Sequence, residues 1–466
     1  MATGEGQVLM SVEAEAYIDA LEPFDVKDIG SQKWSMHHEY IEKLNMQAVM
    51  NASAQEDEFV KEFFITAGKI PVLIYEVIAT EIWKQKVFPE LIEMNFDPKI
   101  SFPIYMVLYH EATIINLLET IMYHKDACES AEESILDLLD YCYRKLTTLI
   151  AKSEESDEDD DDDDEEVDAL SAANSSPSSS ATIGELQKQN KTLDFDICIK
   201  SVSVLRYIID NLSSLPLSVM QRLLNTHDVP ILLVQLVENP PWTKRKHGKL
   251  KKYVDNKWQE VSYGDSLKLT KIEGQMWIAL FQLLMNQDCQ QKYDLSSYRK
   301  NVIIKLRSYL TEVVLDQMPV LSELQRFLEH LSMMDPPPAK KDLVLEQIPE
   351  IREKILTQYE GKWKKLAKKQ SQTYFNPSKA SLRDQAKRWV DTYNFDVLES
   401  LITEPPKCAV CGADAAKRCS RCQNEWYCRR ECQVGHWKKH KAACDLLYDS
   451  LQKLKETEGS GKEQTS

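Results

Sequence analysis

Outside three breaks, the apolar residues of the chain recur at helical spacing. In "IYMVLYHEATIINLLETIMY", Ile104, Val107, Leu108, Ile115, Leu118 and Met122 follow the i, i+3, i+4 rule. The segments "SILDLLDYCYRKLTTLI", "SVLRYIIDNL" and "QMWIALFQLLM" behave likewise. Several are apolar nearly all round, as helices buried between neighbours are. The pattern predicts a mainly α protein. The breaks are the run Glu154 to Asp168 with the serine-rich "ALSAANSSPSSSAT" after it, "DPPPAKKD" at Asp335 to Asp342, and "TEPPK" at Thr403 to Lys407. The first is too polar to bury the area that offsets ordering entropy. Prolines forbid a helix interior in the other two. The expected organisation is an N-terminal helical region at 1–151, a disordered acidic linker at 152–184 and a second helical region at 185–335. A helical connector at 336–403, a finger at 404–448 and a disordered tail at 449–466 follow.

Four segments share one form, an apolar residue, then proline, then an apolar helix. They are "GKIPVLIYEVI" (Gly68 to Ile78), "HDVPILLVQLV" (His227 to Val237), "DQMPVLSELQRFL" (Asp316 to Leu328) and "EQIPEIREKIL" (Glu346 to Leu356). Proline suits the first helical position, where its missing N–H bonds nothing. The first two resemble the opening of the third helix of armadillo repeats, so an armadillo/HEAT-like helical repeat body is expected. "KLKKYVDNKWQEVSY", Lys249 to Tyr263, alternates about a polar Asp-Asn-Lys and predicts a short hairpin among the helices. Its lysines and the preceding "TKRKHG" read as a solvated basic loop, and "GKWKKLAKKQ" (Gly361 to Gln370) as a polar helix face.

Composition narrows the function classes. Glycine occurs 13 times in 466 residues, where average usage gives over about thirty, which argues against doubly wound nucleotide-binding folds. The phosphate-loop, dinucleotide and nucleophile-elbow motifs are absent. "HHEYIEK" at His37 and "HEATI" at His110 invite a zinc-protease reading. The second histidine it needs is replaced by Glu42 after His38-Glu39 and by Ile114 after His110-Glu111. The expectation is therefore no catalytic residues and no enzyme. The net charge of −17 is concentrated, since thirteen acidic groups lie between Glu154 and Asp168. No secretory signal and no apolar run of about 18 residues is visible, so a cytosolic protein without a transmembrane segment is expected.

Seven of the eleven cysteines fall between Cys408 and Cys444, and Cys128, Cys142, Cys198 and Cys289 read as buried thiols. In a reducing compartment such a cluster means metal ligation. Its spacing is Cys408-x2-Cys411-x7-Cys419-x2-Cys422-x5-Cys428-x3-Cys432-x7-His440-x3-Cys444. Eight donors make two closed tetrahedral sites for two Zn2+, which are structural rather than catalytic. So short a segment cannot fold on its own burial. Each zinc contributes on the order of 10 kcal/mol.

This ligand order resembles the MYND zinc finger, and "NEWYCRRECQVGHWKKHKAAC" resembles that family's second half. The resemblance implies interleaved ligation, with Cys408, Cys411, Cys428 and Cys432 on one ion and Cys419, Cys422, His440 and Cys444 on the other. Spacing alone also allows sequential pairing. It further implies that His436 is not a ligand and that the finger binds proline-containing peptides through Gln433 and Trp437, four apart on one helix face. An indole beside an amide suits proline rings and a backbone carbonyl. The competing role for Trp437 is packing in the finger's own core.

The stretches "EKLNMQA", "EIWKQKVFP", "FPIYMVLYHEATIINLLE", "SVLRYI" and "KKDLVLEQIPEI", with the terminal finger, resemble a family of ciliary dynein-arm assembly factors. The acidic run departs from that family's shorter, less acidic linker. The resemblance implies a cytoplasmic adaptor, also at centriolar satellites of the centrosome, that helps preassemble axonemal dynein arms for motile cilia. Its implied partners are a leucine-rich-repeat assembly factor with a CS domain, heat-shock chaperones and co-chaperones including an immunophilin, and axonemal dynein chains as clients. Nucleic acid is not among them. The alternative is a MYND-type transcriptional corepressor. A SET-type methyltransferase is disfavoured by the scarce glycine and the missing cofactor motif.

Overall fold

The computed structural model describes residues 8–98, 100–155, 183–246, 249–334, 339, 347–377, 408–415, 417–422, 425–441, 444, 445 and 448. Its principal helices are α1 (Gln32–Ala54), α2 (Ile70–Lys86), α3 (Phe102–Ile121), α4 (Ile135–Glu155) and α5 (Ile183–Asp210). Further along come α6 (Lys271–Met285), α7 (Ile351–Gln358) and α8 (Trp363–Gln372). The protein is mainly α, as its periodicity predicts. α3 is buried over most of its circumference, from Pro103 and Ile104 to Leu118 and Ile121, with only the line Phe102, Tyr109, Ala112, Asn116, Glu119 and Thr120 partly exposed. α1, α2 and α5 pack around it, and α4 and α6 close on α5. Among the described residues no single helix is long and apolar enough to cross a membrane.

Proline sets where several helices begin. Pro71 and Pro230 occupy the first turns of α2 and of Val229–Glu238. The same form recurs in Phe88-Pro89 and Phe102-Pro103, which open Phe88–Glu93 and α3. Pro319 and Pro349 instead lie just ahead of the helices Leu321–Met333 and α7.

The inserted hairpin is larger than its sequence reading. The "TKRK" expected in a solvated loop is a strand, β1 (Thr243–Lys246), that pairs with β2 (Lys249–Val254), which in turn pairs with β3 (Lys257–Glu260), all antiparallel. Polar β1 lacks the alternation that marks a strand, and its pairing comes from tertiary context. Asp255 and Asn256, both at positive φ, make the tight turn. Tyr253 and Trp258 pack on Phe195 of α5, and the Tyr253 hydroxyl donates to Asp196. The basic patch is partly spent internally. Lys244 lies 4.1 Å over the Trp258 ring, and Lys252 reaches Glu273 at 3.2 Å. In α8 the lysines do form the exposed face, over buried Leu366 and Ala367.

One apolar core runs from Leu9 to Phe375 and joins both helical regions. It includes the connector, for residues 347–377 pack on the N-terminal helices. Gln370 of α8 accepts from Trp83 Nε1 at 2.9 Å and donates to the carbonyls of Val26 at 3.0 Å and Ile29 at 3.2 Å. Gly30 is at φ +87°, and a Cβ there would stand 2.9 Å from Phe375 Cε1. Arg352 of α7 meets Glu81 at 3.5 Å, and Asp137 accepts from the Ile351 N–H at 2.9 Å. The linker expected at 152–184 is trimmed by helix on both sides, to Glu155 and from Ile183, and 156–182 lies outside the described residues. So do the tail at 449–466 and the breaks at 335–342 (Ala339 apart) and 403–407.

Charge is buried deliberately beside this core. Glu111 of α3 takes Lys145 at 2.6 Å, Lys84 at 2.8 Å and the Tyr141 hydroxyl at 2.8 Å. Burial alone would raise its carboxyl, but the Lys145 and Lys84 ammoniums outweigh this and bring it down to about 2. Lying below the ordinary 4.5, that value means Glu111 contributes stability above the unfolded pKa and loses it as pH falls towards 2. Glu111→Gln, which leaves the buried Lys145 ammonium without its carboxylate and Lys84 with Asp194 alone, is expected to cost about 3–5 kcal/mol in urea unfolding. Gln370→Ala, which orphans the Trp83 N–H and two carbonyls, is expected to cost about 3 kcal/mol. It should also make residues 347–377 the first site of limited proteolysis.

Candidate metal centre

The cysteine-rich end is framed by two short antiparallel strands, β4 (Lys417–Arg418) and β5 (Trp426–Tyr427), and by a helix, α9, at 430–441. Two turns carry the paired cysteines. In the first, Gly412 N–H donates to the Cys408 carbonyl at 2.9 Å and Cys408 N–H to that of Ala413 at 2.7 Å. Gly412 sits at φ +69°, a conformation that strains residues with a Cβ. The second follows β4, with Cys419 N–H donating to the Glu425 carbonyl at 2.7 Å. α9 supplies Cys432 near its start and His440 near its end, with Cys428 just before it and Cys444 just after.

The fold gathers these donors into two groups, Cys408 with Cys411, Cys428 and Cys432, and Cys419 with Cys422, His440 and Cys444. This is the interleaved order, and among the described residues no group joins the two paired turns to each other. A zinc–sulfur bond of about 2.3 Å places tetrahedral sulfurs about 3.8 Å apart. In the first group Cys411–Cys428, Cys428–Cys432 and Cys411–Cys432 are 3.4, 3.7 and 3.9 Å apart. In the second, Cys419–Cys444 is 3.8 Å and Cys422 Sγ to His440 Nε2 is 3.4 Å. Donor chemistry and edge lengths both fit, and the cofactors of this segment are two zinc ions.

The protein prepares the thiolates unevenly. Burial opposes ionisation of Cys408, but the N–H groups of Cys428, Val410 and Cys411 outweigh it and bring that thiol down to about 6. The N–H groups of Cys422 and Arg421 likewise lower Cys419 against its burial. Their neighbours go the other way: Cys428 is raised to about 12, first by its hydrogen bond with Cys411. Burial and the thiolates of Cys422 and Cys419 raise Cys444 as well. A dication lets all ionise together.

His436 belongs to neither group. Its Nδ1 is 3.0 Å from the Tyr427 hydroxyl, and its ring stacks on His440. Gln433 and Trp437 lie one turn apart on α9, both half-buried. Trp437 packs on the finger's cysteine-rich core with its ring 6.0 Å from that of His440. Outside the finger the structure assembles a third set of ligating side chains, His37, Glu76 and His110, all buried. They come from three helices and share no local motif, so spacing within one helix could not reveal them. Burial pushes the His37 imidazole down to about 4 and His110 to about 3, and lifts the Glu76 carboxyl to about 7.

Because α9 carries ligands of both groups, about 12 Å apart along its axis at 1.5 Å per residue, neither site can be lost alone. Cys432→Ser and His440→Ala, one from each group, are each expected to release both zinc ions and to open 408–444 to protease. Zinc release to a colorimetric chelator and mapped cleavage sites check this; helical circular dichroism of the body should stay.

Comparison with known proteins agrees with this reading of the end domain. The MYND finger family matches residues 408–444. A 45-residue stretch is 40% identical to "Ubiquitin carboxyl-terminal hydrolase 19" of Arabidopsis thaliana, covering 9% of this chain and 7% of that protein. No solved structure matches the chain. The chain is also 33% identical over 454 residues to the "Zinc finger MYND domain-containing protein 10 homolog" of Drosophila melanogaster, covering 93% of this chain and 98% of that protein. With body and finger both matched, the protein belongs to the family of zinc finger MYND domain-containing protein 10.

Proposed function

We propose that this protein is a cytoplasmic, non-enzymatic adaptor for preassembly and stabilisation of axonemal dynein arms, with the finger as its peptide-binding module. The observation that carries the reading is the length of the Drosophila match, 93% of one chain and 98% of the other. A short match alone would leave the role open, since 45 residues of this chain are also 40% identical to a plant protein named as a hydrolase. A match that includes the body ties the function to the whole architecture, and the sequence stretches that resemble ciliary dynein-arm assembly factors lie mostly in that body.

In this reading the helical body holds clients or chaperones, and the finger captures one partner segment. Gln433 supplies an amide and Trp437 a half-buried indole on the same face of α9. The indole edge left uncovered receives proline rings, and the amide pairs with a peptide carbonyl. Between Lys407 and Cys444 there are nine Lys or Arg against three Asp or Glu. With seven thiolates and two zinc ions this leaves a mildly positive surface, suited to an acidic or phosphorylated partner segment and modest for nucleic acid. The partners in view are a leucine-rich-repeat factor with a CS domain, heat-shock chaperones and co-chaperones including an immunophilin, and the dynein chains. Residence at centriolar satellites belongs to the same proposal.

Affinity purification from ciliating cells tests it, with wild type beside Trp437→Ala. Dynein chains and co-chaperones are expected with wild type. Trp437→Ala should lose one of these partners by more than about tenfold, as removal of an aromatic anchor worth 2 kcal/mol or more does, while keeping both zinc ions. Nuclear corepressors in place of dynein chains overturn the assembly role, and full partner retention by Trp437→Ala overturns the finger's part in it.

A further inference from the structure

Three buried side chains on three helices converge inside the body. His37 is on α1, Glu76 on α2 and His110 on α3, and one ligating atom of each lies within 4.8 Å of the others. We propose that these residues form a third metal site, in the helical core, for a divalent first-row transition ion of the zinc class.

The distances separate a metal site from a hydrogen-bond network. Glu76 Oε2 is 3.4 Å from His110 Nε2 and 3.8 Å from His37 Nε2. Good N–H···O bonds cluster near about 2.9–3.0 Å, so both contacts are long as hydrogen bonds. Two donors each about 2.0–2.1 Å from one tetrahedral ion stand about 3.3–3.4 Å apart, which is where this carboxylate and His110 stand. Among the described residues His37 Nε2 has no hydrogen-bond partner, although its side chain is 4% exposed. Left so in a core, a polar atom costs about 1–3 kcal/mol; as a lone pair on a cation it is satisfied. The other oxygen, Glu76 Oε1, already accepts the Phe24 N–H at 2.5 Å, which turns Oε2 towards the imidazoles.

The surroundings of His110 complete the arrangement. Its Nδ1 is 2.8 Å from Nδ1 of His38, so one proton lies between the two rings. With that proton on His110, its Nε2 lone pair is free to bind metal, the second-shell pattern of metal-ligating histidines. His38 then carries its own proton on Nε2, facing Glu42 Oε1 at 3.9 Å, and Glu42 accepts the Thr113 hydroxyl. Trp34 stacks on His38 and meets His110 edge-on, which fixes both rings. A dication with the Glu76 and Glu42 carboxylates sums to zero charge, the condition for burying all of them. Two imidazoles and one carboxylate select zinc, cobalt, nickel or iron over calcium and magnesium.

Metal content decides the matter. Full-length protein incubated with excess Zn2+ and desalted should hold three ions by inductively coupled plasma mass spectrometry, one for each gathered group. Glu76→Gln and His110→Gln should hold two, the finger's own. With Co2+, finger sites give thiolate charge-transfer bands, and the third site adds ligand-field bands alone. Those bands should vanish in Glu76→Gln and survive in Cys419→Ser. His38→Gln, a positioning variant, should bind the third Co2+ about 10–100-fold more weakly with the finger bands unchanged. It keeps the test alive if the ligand variants do not fold. A wild-type chain that saturates at two ions overturns the proposal, as does a third ion lost with Cys419→Ser and kept by Glu76→Gln.

Discussion

A helix buried over most of its circumference must find most of its polar partners within the protein, and α3 imposes that condition on the body. Glu111 requires Lys84 from α2, with Lys145 and Tyr141 from α4. Thr113 requires Glu42 and His110 requires His38, both from α1. Asn116 pairs with Asn45 of α1 and with Lys200 of α5, each at 2.7 Å. Hydrophobic packing alone tolerates sliding and rotation between helices; directional contacts to single atoms do not. Four neighbours are thus held in register by the polar side chains of α3.

The finger solves the opposite problem. It has too few apolar residues to exclude water, and its buried cluster is little more than cysteines, Ala415 and Tyr427. Coordination bonds replace burial, and α9 is the shared beam between them. The consequence for the proposed peptide recognition is that Gln433 and Trp437 lie between a ligand of one ion, Cys432, and a ligand of the other, His440. Their spacing and orientation are therefore held by both metals.

Much of this was legible in sequence where the determinant is local. Helical periodicity marks α3, α4 and α5. Eight donors at fixed intervals mark the zinc groups, and the Asp-Asn turn marks β2 and β3. The rest depends on contacts between distant segments. Nothing in "TKRK" alternates, so β1 exists because β2 is beside it. Residues 347–377 look like a connector because a polar lysine-rich face hides the four buried positions of α8 that seal the N-terminal core. His37 and His110 failed the one-helix zinc test correctly, since their third partner, Glu76, comes from another helix.

The closure of the N-terminal core by α8 has a consequence for how the chain is made. The Trp83 indole and its acceptor Gln370 are 287 residues apart. At the usual elongation rates of about 5–20 residues per second, Trp83 leaves the ribosome roughly 15–60 s before its partner exists. Through that interval the contact of Trp83 with Phe375 and the partner of its indole N–H are both missing. A nascent chain in this condition presents the kind of surface that chaperones shield.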